Sequence, residues 1–196
     1  MNNVFVINLH KRKDRLELFR QQAQKHGIAF HVFSAVYLGE GKTNGINGAT
    51  KSHLAIAKMS RDRELDMVTV FEDDAQFTDD YEQTILNNDL IIDKITDIDM
   101  LYFGASYTER FLWQKDGIVR SAGANCLHAY NLYSRFYDKF IATLEAALKN
   151  SIPCDTAISA IHKDNNVYGY FPSIVKQRPS YSDIEGRDVD YTNTIK

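Results

Sequence analysis

Three consecutive carboxylates, Glu72-Asp73-Asp74, stand directly behind the apolar run Met67-Val68-Thr69-Val70-Phe71. That run has the length and branching of a buried strand, so the acids are expected at the strand's carboxyl end. In open α/β sheets this is the edge where ligands bind. Adjacent carboxylates repel one another and are costly to hold ionised beside a core, and a divalent cation offsets that charge. Hard oxygen ligands favour Mn²⁺ or Mg²⁺, commonly shared with the phosphates of a substrate. The competing reading is a solvated turn carrying spare acids, and the triplet alone does not separate the two.

The elements that must position these acids alternate along the chain. Val4 to Leu9 reads as a buried first strand, Lys11 to His26 as a helix ended by Gly27, and Phe30 to Val36 as a second strand. Leu38 to Gly48 holds Gly39, Gly41, Gly45, Gly48, Asn44 and Asn47, which predicts a mobile loop. Thr50 to Arg63 has a helical period, with Thr50 or Ser52 as its cap, and leads into the strand that carries the triplet. Asp79 to Asp93 reads as a helix and Asp99 to Gly104 as another strand. Asp116-Gly117, between Phe111-Leu112-Trp113 and Ile118-Val119-Arg120, predicts a hairpin, and Ala124 to Tyr130 continues as strand. Leu132 to Asn150 is the longest helical pattern, with Phe136, Phe140, Leu144 and Leu148 along one face. Pro153 opens a further helix to about His162, Val167 to Val175 is a late strand, and a polar, Asp-rich tail follows. This order predicts an α/β sandwich with a mixed, mostly parallel sheet.

A chain of 196 residues suits one domain spanning 1–196, and 44% hydrophobic with 25% charged residues is a globular composition. A net charge of -3 and a pI near 6.1 argue against nucleic acid as the default partner. One local exception is the segment carrying Lys11, Arg12, Lys13, Arg15, Arg20 and Lys25 against Asp14 and Glu17. This basic helix face leaves peripheral contact with the inner face of a membrane open. Cys126 and Cys154 have neither zinc nor redox spacing, which suits a reducing compartment. No stretch of roughly 18 apolar residues occurs, so a cytoplasmic chain is expected. No Gly-x-x-x-x-Gly-Lys-Ser/Thr run is present, which argues against a phosphoryl transferase built on the same acids.

Several separate blocks together resemble glycosyltransferase family 25, the lipooligosaccharide and procollagen galactosyltransferase group. Val4-Phe5-Val6-Ile7-Asn8-Leu9 with Arg12, Asp14 and Arg15 is similar to the family's opening, and Gly48-Ala49-Thr50-Lys51-Ser52-His53 to its Gly-to-Ser-His helix start. The triplet with Ala75, Ala129-Tyr130, Pro153-Cys154-Asp155, Pro172 to Gln177 and Ser182-Asp183-Ile184 follow in the family's order. Between Gly48 and Ser52 this chain departs from the pattern with Ala49, Thr50 and Lys51. The resemblance implies a GT-A type, Rossmann-like domain and a metal-dependent transfer of a hexose such as galactose, with inversion. The donor would be a nucleotide sugar, a UDP-sugar by preference, and the acceptor a hydroxyl on a glycan or lipooligosaccharide.

It also implies roles for individual residues. Asp73 and Asp74 would hold Mn²⁺ or Mg²⁺ on the donor's diphosphate, with Glu72 in support. His162 and Asp183 are conceivable further ligands. Asp155 is the first candidate for the base that takes the acceptor's proton and Asp183 the second, although either acid also suits an ordinary helix-start or turn position. Asn8, Arg12 and Arg15 leave the first strand where a nucleotide would lie; the arginines could grip phosphate or form surface salt bridges with Asp14 or Glu17. Ser52, His53, Lys176 and Gln177 complete the donor-binding set. The alternative is a nucleotide-sugar or glycan-binding module that keeps the fold without turnover.

Overall fold

Apolar runs and helical periods assemble into helices on both sides of one central sheet. The computed structural model describes residues 3–109 and 111–195. The chain begins β1 (Val4–Asn8), α1 (Lys13–Lys25), β2 (His31–Ser34), α2 (Lys42–Asp62), β3 (Met67–Glu72), β4 (Ala75–Phe77) and α3 (Tyr81–Ile92). It continues β5 (Met100–Tyr102), β6 (Ser106–Tyr107), β7 (Trp113–Lys115), β8 (Ile118–Arg120), β9 (Ala124–Asn125) and β10 (Ala129–Tyr133). Then come α4 (Tyr137–Lys149), α5 (Cys154–Ser159), β11 (Val167–Tyr170), β12 (Val175–Gln177), β13 (Ser180–Ser182) and β14 (Arg187–Val189).

Eight strands form the central sheet in the order β2-β1-β3-β10-β5-β11-β8-β7. β1 is parallel to β2 and β3, and β5 to β11, whereas β10 and β8 run against their neighbours. Most strands therefore share one direction and two reverse it. Alternation along each strand divides the apolar side chains between two faces. Phe5, Ile7, Val68, Val70, Tyr130 and Leu132 pack with α2, α4 and α5, while Val6, Phe71 and Ala129 pack with Phe19 and Ala23 of α1 and Tyr81 of α3. This is the Rossmann-like sandwich that the alternating order predicts. Phe136, Phe140 and Leu144 are buried as expected, and Leu148 packs against them.

The largest departure lies at the predicted loop. Residues 42–48 are the first turns of α2, a helix that starts behind Gly41 rather than at Thr50. Its glycines permit close approach: a Cβ on Gly48 would lie 2.5 Å from the Val36 carbonyl oxygen, and one on Gly45 3.1 Å from the Ile184 Cα. Thr50 and Ser52 are mid-helix, their hydroxyls donating back to Ile46 O at 2.9 Å and Gly48 O at 2.8 Å instead of capping. Leu132 and Tyr133 belong to β10, because pairing with β3 outweighs the helical period that begins there. Cys126, at φ 74, breaks the predicted strand from Ala124 to Tyr130 into β9 and β10. The polar tail carries the hairpin β13–β14. At the other hairpin Asp116 and Gly117 have φ 47 and 85, the paired positive values of the turn that Asp-Gly predicts. No helix among the described residues is long and apolar enough to cross a membrane.

Candidate functional site

The carboxyl ends of β1, β2 and β3 point to one edge of the sheet, and a cavity of about 560 Å³ opens there. Its walls come from the β1–α1 corner, the segment after β2, the face of α2, the triplet, the β9–β10 turn, the start of α5 and the carboxyl-terminal hairpin. Glu72 ends β3, and Asp73 and Asp74 form the turn into β4. β4 pairs with β12, which brings Gln177 opposite Ala75 and its side chain onto Asp74, Nε2 donating to Oδ2 at 3.0 Å.

Each acid of the triplet has its own partners. Asn8 Nδ2 donates to Asp73 Oδ2 at 2.6 Å, and Arg15 Nη1 bridges Asp73 Oδ1 at 3.0 Å and Asp74 Oδ2 at 3.2 Å. Glu72 Oε1 lies 3.2 Å from His53 Nε2. A carboxylate only accepts, so Nε2 donates, and Nδ1 on the other side of the ring stands 2.9 Å from the Tyr130 hydroxyl. Burial would raise the Glu72 carboxyl, but the His53 contact brings it below its usual range. Burial dominates at the other two: the Asp73 carboxyl rises to about 6, and Asp74, beside Glu72, rises as well.

These values bear on a cation. Asp74 Oδ1 is buried with no hydrogen-bond partner, although Arg15 pairs with both aspartates and the Arg178 guanidinium stands near them. An unpartnered hard oxygen is what Mn²⁺ or Mg²⁺ completes; Asp74 Oδ1 is such an atom, whereas both Asp73 oxygens already have partners in Arg15 and Asn8. Among the described residues no group of three or more His, Cys, Asp or Glu is arranged to hold a metal. The remaining ligands would therefore be phosphate oxygens and water. His162 does not supply one: it is buried elsewhere, beside Tyr102 and Ser121, and does not line the cavity.

Most of the sequence-predicted residues meet here. Arg12, Arg15, Ser52, His53 and Gln177 line the cavity with the triplet, as do Asp155 and Asp183. Ser52 accepts the Val36 N–H at 2.9 Å and so shapes the wall. Asn8 lies behind the lining and orients Asp73. Lys176 is a correction. It is exposed and outside the cavity, because alternation in β12 turns it away from the side that Gln177 faces.

The two base candidates differ sharply. Asp155 stands in the first turn of α5, where Oδ2 accepts the Cys126 N–H at 3.2 Å and Oδ1 the Thr156 N–H at 2.7 Å, leaving lone pairs toward the cavity it lines. Asp183 is engaged by Lys11 Nζ at 2.9 Å and Arg12 Nη1 at 2.7 Å. Although burial works against it, these contacts bring its carboxyl below the usual range, which makes Asp183 a poor base.

Sequence reasoning missed other parts of the wall. Lys11 and Lys42 face the hairpin, and Tyr37 donates its hydroxyl to Glu40 at the mouth. His128 Nε2 donates to Val175 O at 3.1 Å, and its buried Nδ1 has no partner. Its one signal was its place directly before Ala129-Tyr130. Burial pushes the Cys126 thiol up to about 12, so it carries no thiolate chemistry at neutral pH.

Comparison with known proteins places the fold and part of the sequence. The A197 protein from STIV superimposes with a TM-score of 0.53 at 15% identity, covering 96% of this chain and 93% of that one, which shows a shared fold. A glycosyltransferase involved in the glycosylation of the major capsid of PBCV-1 aligns at a TM-score of 0.46 and 9% identity, covering 82% of this chain and 74% of that one. CTP:phosphocholine cytidylyltransferase from Streptococcus pneumoniae aligns at 0.44 and 12%, covering 94% and 75%. These last two scores are too low to argue from. No curated protein matches by sequence. The triplet, Asp155 and the carboxyl-terminal hairpin lie beyond the part of the chain that a family model covers. Residues 1–47, which carry β1, α1 and the Arg12 and Arg15 side chains, are similar to glycosyltransferase family 25 (LPS biosynthesis protein), a match that covers only this first part of the chain.

Proposed function

We propose that the chain, as one domain over residues 1–196, is a GT-A type glycosyltransferase that moves a hexose from a nucleotide sugar to an acceptor hydroxyl with inversion. The donor in this reading is UDP-galactose and the acceptor a glycan such as lipooligosaccharide. One observation carries it: Arg12, Arg15 and the triplet converge on a single cavity at the carboxyl edge of the sheet, with Asp155 on its wall. Its volume of about 560 Å³ lies within the usual range of small-molecule sites.

In this reading the donor's diphosphate lies against Arg12 and Arg15, whose planar groups match phosphate oxygens. Asp73 and Asp74 would hold Mn²⁺ or Mg²⁺, which when bound supplies positive charge to the departing diphosphate. His53 braces Glu72 and Asn8 braces Asp73, so the acids keep their positions as charge shifts. The acceptor oxygen bonds to the anomeric carbon as the bond from that carbon to the diphosphate oxygen breaks, and the hydroxyl proton passes to Asp155. Attack opposite the leaving group inverts the centre. The reading places the enzyme in the cytoplasm; Lys11, Arg12 and Arg15 are turned to the cavity, so contact with a membrane surface would fall to the exposed Lys13, Arg20 and Lys25.

A thermal-shift panel of nucleoside diphosphates and nucleotide sugars, each with Mn²⁺ or with chelator, tests the donor site. A ligand of the native state at a hundredfold excess over its Kd adds about 2.7 kcal/mol. A melting temperature raised by a nucleotide with Mn²⁺, and raised less with chelator, is expected. A flat panel in both conditions overturns the reading.

A further inference from the structure

The firmest ionic contacts in the cavity wall are with the protein's own carboxyl-terminal hairpin. Asp183, in the turn between β13 and β14, accepts from Lys11 Nζ at 2.9 Å and from Arg12 Nη1 at 2.7 Å, one carboxylate oxygen to each. Close by, Lys42 Nζ reaches Glu185 Oε1 at 2.9 Å, and Arg15 Nη2 donates to Ser180 Oγ at 2.6 Å and Tyr181 O at 2.9 Å. The hairpin is thus held by cations from the β1–α1 corner and the start of α2, and those cations also line the cavity.

Lys11 and Arg12 each have partners besides Asp183, and Arg12 Nη1 also donates to Tyr181 O of the hairpin at 3.0 Å. The far side of the Arg12 guanidinium is gripped by Asp14, with Nε to Oδ1 at 3.0 Å and Nη2 to Oδ2 at 2.9 Å. Lys11 lies 5.3 Å above the Tyr37 ring and 3.4 Å from Glu40. An ammonium and a guanidinium held about one pair of oxygens form a site for a tetrahedral oxyanion as readily as for a carboxylate. Asp183 itself belongs to a short two-stranded hairpin, outside the central sheet. Were Asp183 to leave, Arg12 would keep Asp14 and Lys11 would keep Glu40, so both cations retain partners that hold them at the cavity.

We infer that Lys11 and Arg12 form a phosphate subsite of the cavity, that the Asp183 carboxylate occupies it as an internal anion, and that a diphosphate competes with Asp183 for it. The identity of the competing diphosphate rests on the nucleotide-sugar reading; the subsite itself does not. In this arrangement Asp183 is neither base nor metal ligand. Its hairpin shuts the phosphate end of the cavity until a ligand of higher charge displaces it.

Calorimetric titration with inorganic pyrophosphate and with UDP compares the wild-type chain with Asp183→Asn. Removing the competing charge of a partly exposed pair is expected to tighten pyrophosphate binding roughly fivefold. Adding Lys11→Gln to that variant is expected to abolish the gain. Unchanged or weaker pyrophosphate binding in a natively melting Asp183→Asn chain overturns the inference and leaves the contact as a structural salt bridge, as does pyrophosphate that binds neither chain. Hydrogen exchange on the wild-type chain decides the matter should the variant fail to fold. Displacement of Asp183 is expected to speed exchange at Glu185 and Gly186, whose amides donate to Ser182 Oγ and Ser182 O. Exchange there that is unchanged or slowed by pyrophosphate overturns the inference. Pyrophosphate binding that tightens as expected, with no nucleotide in the panel bound, keeps the subsite and sinks the donor reading.

Discussion

At Arg15 one guanidinium nitrogen, Nη1, faces two buried aspartates, which leaves Nη2 for the hairpin. The same side chain reaches Ser180 and Tyr181, so one residue ties the triplet to the hairpin. Around this centre each acid has a distinct environment, and environment sets role. Glu72 is kept ionised by His53, Asp73 and Asp74 are pushed toward protonation by burial, and Asp155 is oriented by two backbone amides. Asp155→Asn keeps its shape and loses the proton acceptor. Transfer is expected to fall about a thousandfold, within the usual range for general-base loss, while donor Kd stays unchanged. Asp74→Asn is expected to lose metal-dependent donor binding and transfer together. Paired titration and rate measurements check both variants; wild-type transfer in either one, or weakened donor binding in Asp155→Asn, would remove its assignment.

Among the elements α2 does the most to shape the site. It delivers Ser52 and His53 to the cavity, and its first turns touch both the segment after β2 and the hairpin. Gly48 is the close point, because any side chain there meets the Val36 carbonyl. Gly48→Ala is expected to cost about 2 kcal/mol, the usual scale of overpacking, and to be seen as a lower urea midpoint with an unchanged slope. A midpoint equal to wild type would show that the two backbones separate freely. Glycines and asparagines are turn formers by local propensity, so residues 42–48 read as a loop in the sequence; tertiary contact supplies the reason for helix. β4, β12 and the β13–β14 hairpin were hidden for a related reason. Strands as short as three residues carry almost no period of their own and exist by pairing with distant partners.

For the whole molecule, two cores on opposite faces of the sheet carry the stability, and the first of them lies against a buried histidine, His162. Burial lowers the His162 pKa to about 4, so the folded chain refuses a proton that the unfolded chain takes up below about pH 6.5. The unfolded state then binds more protons as pH falls, and stability falls with it. Its contribution is complete above about pH 6.5 and declines toward pH 4, by roughly 2 kcal/mol between pH 6.5 and 5. Urea unfolding over that window is expected to show the slope, and His162→Gln to flatten it. An equal slope in both chains would assign the acid sensitivity to other groups.

Local rules were enough for the alternation of strands and helices, the Asp-Gly hairpin, the buried stripe of α4 and the placement of the triplet behind a strand, because each depends on neighbours within a few residues. The resemblance of separate blocks to glycosyltransferase family 25, not any local rule, brought Arg12, Arg15, Ser52, His53, Asp155 and Gln177 forward, and the fold collects these residues at one edge. What only the tertiary structure decided is how charges are shared there. Asn8 and Asp73 meet across 65 positions, Gln177 and Asp74 across 103, and Arg12 and Asp183 across 171. Hydrogen bonds act over a few ångströms of space and carry no trace of sequence separation, so the partner of each acid follows from the register of β4 on β12 and the fold of the hairpin. Lys176 and Gln177 are adjacent in the chain, yet the pleat of β12 sends only Gln177 into the site.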